Sequence, residues 1–314
     1  MIAAIVLHAT TDFVSTLERR FYDFSSTTTS RQPSDRIAII AIDDQSIANI
    51  GRWPWSRDVH AKLIDKLAAA KAKTIVQTTF FFEPQIDPGL AYIHKLKDVL
   101  AFFPDDTVQR DPLNKIIAEA EAALDTDTVL AKSIQSAGNV ILPSFFDLGV
   151  PQGRPDNLLP AYAMKSAIEE TQGFSYPAMR GQQPIESLGN AASGIGHLSL
   201  RADIEDGAVR EEPLLVNYFG QAVPSMALLA SMKSLNLKTE DLKLNVGESV
   251  QIGKLKIKTN DNTVMRPQFY KPHDGHPAFS ISPFYDVMTG KIPAANFTDK
   301  IVIIGATAAG VGAK

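Results

Sequence analysis

The chain contains no cysteine. That excludes a disulfide framework, thiol catalysis and cysteine-ligated zinc. It fits an exported domain that avoids thiol chemistry. Tryptophan is nearly absent too. Both copies sit in "GRWPWSRDVHAKLIDKL", positions 51–67. No run reaches the roughly 18–20 apolar residues that span a bilayer. Positive charge is not in excess: the formal net charge is −4, and no basic face with interleaved aromatics is present. A nucleic-acid partner is therefore not expected. The serine-nucleophile signature G-x-S-x-G is missing, as are internal repeats and low-complexity tracts.

What is present is ordinary globular material. The 314 residues are 45% hydrophobic and 21% charged, enough for one large α/β domain or two small ones. The start, "MIAAIVLHATTDFVSTLERRFYDF", is a short apolar run that turns amphipathic. Leu17, Phe21 and Phe24 recur at helical spacing, which predicts a helix over 2–24. There is no basic n-region or clear cleavage site. It reads either as an ordinary N-terminal helix or as the tail of a membrane helix.

"RIAIIAID", 36–43, and "KIVIIGAT", 300–307, are nearly all apolar, as in strands buried on both faces of a parallel sheet. A helix follows the first strand, with Ser56 as its N-cap and Val59, Leu63 and Leu67 as its stripe. A second strand is predicted over 73–84, giving a β-α-β unit with a right-handed crossover. Residues 85–137 read as helical and 139–146 as a third strand. Residues 147–195 read as a long loop with at most one helix, 160–171. "GIGHLSL" and "REEPLLVNYFG" read as an antiparallel pair joined through Asp206-Gly207. A helix at 223–236, a hairpin around Gly253, a strand at 266–272 and a short helix at 282–290 complete the pass. The expected fold is α/β: a mixed, mostly parallel central sheet with helices on both faces, plus antiparallel hairpins and the N-terminal helix.

Several groups could carry chemistry. Asp43 and Asp44 end the first strand and Glu83 the second. Beyond such strand ends three carboxylates could hold a divalent cation or act as acid and base. Equally, Asp43 and Asp44 could cap the following turn. "GATAAGVG" could cradle phosphate, but its spacing matches neither the dinucleotide nor the P-loop pattern. His273 and His276 form a His-x-x-His in a proline-flanked turn without a third ligand. Arg210 could pair with Asp203 or Asp206, or face a ligand anion. In the Trp-Pro-Trp corner, Trp53 is expected to bury. Trp55 with Arg57 is expected to rim a cleft above Asp43.

The order of these motifs resembles the CHASE domain, type 2. "LERRFYDF", with Glu18, Tyr22 and Asp23, is similar to the family's juxtamembrane start. "IAIIAIDDQSIANIGRWPWSRDVHAKLIDKL" is similar to its most recognisable motif. "FFFEP", "DTVLAKSIQSAGNVILP", "GIGHLSLRADIEDGAVR", "VPSMALLASM" and "SPFYDVMTGKIPAANFTDKIVIIGATAAGVG" follow in family order. Thr78 departs from it, standing where the family usually carries an acidic residue.

The resemblance implies a non-catalytic extracytoplasmic sensor. It would be the periplasmic part of an inner-membrane bacterial receptor whose cytosolic output is a cyclase or a kinase. Ile2–Leu7 would be the stump of a preceding membrane helix, with further membrane helices after Lys314. Residues 1–35 would form a juxtamembrane helix and linker. Residues 36–314 would form one sensor domain, with 85–126 a candidate helical insertion. The implied ligand is an unknown small molecule, ion or periplasmic partner; the resemblance assigns no binding residue, and the candidate set read from the residues themselves is Asp43, Asp44, Trp55, Arg57, Glu83, Asp206 and Arg210. A homodimer is expected and no cofactor. The competing reading is a soluble hydrolase or metal-dependent enzyme using Asp43, Asp44 and Glu83.

Overall fold

Apolar runs at 37–42, 74–77, 140–148 and 301–306 form the parallel heart of one sheet. The computed structural model describes residues 13–27, 31–102, 110–203, 206–272, 275, 277–309 and 311. Its first elements are α1 (Phe13–Thr27), β1 (Ile37–Ile42), α2 (Asp44–Ile50), α3 (Arg57–Ala69), β2 (Thr74–Gln77), α4 (Pro88–Ala101), α5 (Arg110–Leu124), α6 (Thr126–Ala137) and β3 (Val140–Leu148). Then come α7 (Ala161–Met164), β4 (Ile168–Glu169), β5 (Tyr176–Gln182), α8 (Glu186–Ala191), β6 (Gly194–His197), β7 (Arg201–Ala202), β8 (Val209–Pro213), β9 (Leu215–Tyr218) and β10 (Gln221–Pro224). The last are α9 (Met226–Ser234), β11 (Leu242–Asn245), β12 (Ser249–Ile252), β13 (Leu255–Lys258), β14 (Val264–Met265), β15 (Ser280–Pro283), α10 (Phe284–Met288) and β16 (Ile301–Ala306).

Among the described residues the main sheet has ten strands, ordered β15-β1-β16-β2-β3-β5-β9-β10-β4, with β6 also paired to β3. Strands β15, β1, β16, β2, β3 and β6 run parallel. Successive side chains of a strand point to opposite faces, so a doubly buried strand needs apolar residues throughout. Ile75, Val140, Leu142, Val302 and Ile304 enter the core under α3 and α6, against Leu63, Leu67, Leu130 and Ile134. Their neighbours Val76, Ile141, Ile301 and Ile303 face the other way, onto Met226 and Leu229 of α9. The mixed α/β architecture expected from the sequence is the one found. Two small antiparallel sheets, β11-β12-β13 and β14-β8-β7, complete it.

The β-α-β unit stands, with β1 and β2 in the same parallel sheet and β16 between them. Several local readings need correction. β2 stops at Gln77, and Thr78 donates its hydroxyl to the Ile304 carbonyl at 2.9 Å. The supposed loop 147–195 contains β5, antiparallel to β3. Its sequence, "YPAMRGQ", hides it, since proline and glycine weaken strand signals. "GIGH" pairs parallel with β3 rather than with 210–220. The hairpin through Gly207 is instead β7–β8. Residues 266–272 form no strand. The N-terminal helix runs on to Thr27, while residues 1–12, and so Ile2–Leu7, lie outside the described residues. Among the described residues, no helix is long and apolar enough to cross a membrane.

Candidate functional site

At the end of β1 the carboxylates serve the backbone. Asp43 is the N-cap of α2, and its Oδ1 accepts the Ser46 N–H at 2.8 Å. Asp44 accepts the Ala309 N–H at 3.2 Å. The N–H groups of Thr307 and Ala308 go to the Ile42 carbonyl. Three successive amides of the glycine-rich turn are therefore committed inside the fold, not offered to a phosphate. His273 and His276 lie outside the described residues.

The tryptophan corner is inverted relative to expectation. Trp55 is 3% exposed, and Trp53 is the partly exposed partner. The Trp55 indole N–H donates to the Gly51 carbonyl at 2.9 Å, and its ring meets Phe284 at 4.8 Å and Trp53 at 5.1 Å. A buried indole needs such a polar partner. His60 joins this aromatic cluster, shares a 3.1 Å hydrogen bond with Gln77, and is lowered to about 3 by burial. Trp55 is buried and wedges the corner onto the core.

Arg57 opens α3. Its Nε donates to Asp127 Oδ1 at 3.2 Å, its terminal nitrogen to the Glu83 carbonyl at 3.0 Å, and its plane lies 4.4 Å over Phe81. Asp127 also accepts the Gln85 N–H at 2.8 Å. The guanidinium ties α3, α6 and residues 83–85 together. It is engaged internally rather than presented to an anion. Glu83 lies six residues past the end of β2, with its side chain exposed. It does not complete a carboxylate trio with Asp43 and Asp44. Among the described residues, no group of three or more His, Asp or Glu could hold a metal ion.

Asp206 and Arg210 do come together, and they bring a third residue. Arg210 donates to Asp206 through both terminal nitrogens, at 2.9 and 2.6 Å. On its other side Nε and one terminal nitrogen donate to the two oxygens of Asp23, each at 2.8 Å. Asp203 stands 3.5 Å away. The guanidinium side chain is only 13% exposed. The hydrogen bonds to Asp23 and Asp206 hold Arg210 protonated, and the same bonds lower both carboxyls. Asp23 lies on α1, so β8 and its turn clasp the N-terminal helix. The Tyr22 hydroxyl adds a bond to the Pro267 carbonyl. A cavity of about 390 Å³ lies between α1 and the β7–β8 hairpin, lined among others by Glu18, Tyr22, Arg201, Asp203, Glu211 and Arg266.

Sequence reasoning left Asp23 and Asp127 without a role. The hairpin explained Asp206-Gly207 but not Arg210, and that unexplained cation was the available signal.

This is a mixed α/β domain whose N-terminal helix is fastened to it by a charged fork, and its class is that of extracytoplasmic sensor domains. The family model described as the CHASE2 domain matches residues 1–313, and the chain belongs to that family. No curated protein and no solved structure matches it.

Proposed function

We propose that this chain is the non-catalytic periplasmic sensor of a membrane-bound bacterial receptor, and that α1 carries its signal. Flanking membrane helices join it to a cytosolic nucleotide cyclase or kinase. The observation that supports this reading is the Arg210 fork, with Asp23 of α1 on one side and Asp206 of the β7–β8 turn on the other. A stimulus shifts a receptor only by binding its two states unequally. Any rearrangement that moves the hairpin changes the seat of α1, because one guanidinium serves both.

The receptor acts as a homodimer in this reading. Leu17 and Phe21, one helical turn apart on α1, are 50% and 74% exposed. A second copy of α1 would cover them, and covering apolar surface contributes about 25 cal/mol per Å².

The test is the output of the intact receptor, read as cyclic nucleotide or autophosphorylation. Arg210→Ala is expected to change basal output several-fold and to blunt any response. Arg210→Lys, which keeps charge without the fork, should fall between. Output indifferent to both substitutions overturns the reading.

A further inference from the structure

A cavity of about 600 Å³ opens between residues 150–151, the loop 170–176 and the β9–β10 turn. Such a volume suits a small ligand. The rings of Tyr176 and Phe219 line it, with Ser175 and Asn262 as polar neighbours. Among the described residues its one charged lining group is Glu170. That carboxylate is 5% exposed and fully engaged. It accepts the N–H groups of Gln172, Gly173 and Ser175 at 2.7, 2.7 and 3.0 Å, and the Asn217 amide at 3.0 Å. Four donors fill the acceptor sites of a carboxylate. Neutral donors solvate this charge without cancelling it, and the described lining holds no cation, so an anionic ligand is disfavoured here.

Two further features point to a ligand. Ser175 is 1% exposed, and its buried hydroxyl oxygen has no hydrogen-bond partner in the protein. Native proteins rarely leave such a group unsatisfied. Phe219 has φ +51°, and Gly220 follows with φ +89°. Two left-handed residues make the tight β9–β10 turn, where Asn-Gly is favoured. A bulky aromatic at the first position is strained, and such strain collects at functional sites. The strained turn places Phe219 on the cavity wall, with its ring edge-on to Tyr218 at 4.9 Å.

The cavity also connects to the clasp. Arg201 lies 5.5 Å over the Tyr176 ring and pairs with Glu211. Glu211 lies 3.8 Å from Arg266, which in turn sits 6.0 Å over the ring of Tyr22 on α1.

We propose that this cavity binds a neutral, hydroxyl-rich ligand of the saccharide class, and that occupancy reaches α1 through Arg201. The rings of Tyr176 and Phe219 match the apolar face of a sugar, and Ser175 and Asn262 its hydroxyls. The link to α1 rests on the sensor reading above; the binding does not.

Calorimetry on the purified chain, with a panel of neutral mono- and disaccharides and their uronate counterparts, tests the binding. A neutral sugar should bind, with its uronate at least tenfold weaker. Phe219→Asn keeps a residue suited to the turn, and Ser175→Ala removes only an unsatisfied hydroxyl. Ser175→Ala should melt near the parent temperature, Phe219→Asn should melt lower because its ring packs on Tyr218 and the core, and both should bind at least tenfold more weakly. Binding by no neutral sugar, equal binding of uronates, or affinity that survives both substitutions overturns the proposal. Hydrogen exchange then tests the link. Bound sugar should alter exchange of α1 amides in the parent but not in Arg201→Ala. A sugar that binds without altering α1 in the parent overturns the link alone, while the Arg210 variants judge the sensor reading independently.

Discussion

Arg210 on β8 grips Asp23 on α1 through two parallel N–H···O bonds of 2.8 Å, across 187 residues of sequence. The same guanidinium holds Asp206 in its own turn. A planar fork fits two carboxylates in a way an ammonium cannot.

The pair should show coupling. A double-mutant cycle of Asp23→Asn and Arg210→Gln, read by denaturant unfolding, is expected to give a coupling energy of about 1 kcal/mol, because Asp23 is half exposed and solvent screens the pair. Asp206→Asn alone should loosen the hairpin while leaving the Asp23 bonds in place. Additive effects of Asp23→Asn and Arg210→Gln would show that the fork contributes nothing to α1.

The two tryptophans should behave unequally. Trp55→Ala removes a buried ring from the core and is expected to cost about 3–5 kcal/mol. Trp55→Phe keeps most of the packing but loses the bond to Gly51, for about 1 kcal/mol. Trp53→Ala, at a partly exposed site, should cost clearly less than Trp55→Ala in the same melts. The reverse order would contradict the wedge.

Much of the architecture was legible because burial on both faces leaves a plain record. β1 and β16 are apolar at nearly every position, as the strands of a sheet covered on both faces are, and their shortness and flanking turns argue against a buried helix. β5 was illegible because it carries proline, glycine and arginine and buries only Ala178 fully. The site was harder to read. Asp43 was recognisable as either cap or ligand, since a carboxylate after a strand can serve either use. The orientation of Trp53 and Trp55 depends on how the corner turns, and composition does not encode that. Arg57 and Asp127 are 70 residues apart, so neither predicts the other. Arg210 could be paired with Asp206 from local spacing, but Asp23 required the fold.

Asp43 should matter through its cap. Asp43→Ala removes the Ser46 bond and is expected to cost about 1 kcal/mol. Asp43→Ser should recover most of that, since serine also caps. Added magnesium, manganese or calcium should leave the melting temperature of parent and variants unchanged. A metal-dependent rise abolished by Asp43→Ala would restore the carboxylate-cluster reading.

Acidification should expose the buried histidines. His60 and His197 are each lowered to about 3 by burial. Unfolded, they take up protons near pH 6.5, so from there down to about 3 the unfolded state binds more protons. Stability is therefore lost as pH falls through that window. Glu212 works in the opposite sense. Burial raises it to about 7, so its contribution is present below about 4.5 and lost as pH rises through about 7. In Glu212→Gln the contribution that opposes the histidines is removed. The variant's melting temperature should fall more steeply between pH 7 and 5 than the parent's, and parallel profiles would contradict this assignment.

The account's central claim is that one guanidinium seats α1 on the sensor domain. Hydrogen exchange of α1 amides 14–27, compared between the parent chain and Arg210→Ala, tests it most directly. The account predicts at least tenfold faster exchange across α1 in the variant, with the β1, β2 and β16 amides unchanged. Equal α1 protection in both proteins would mean that other contacts hold the helix and that the fork is not the lever.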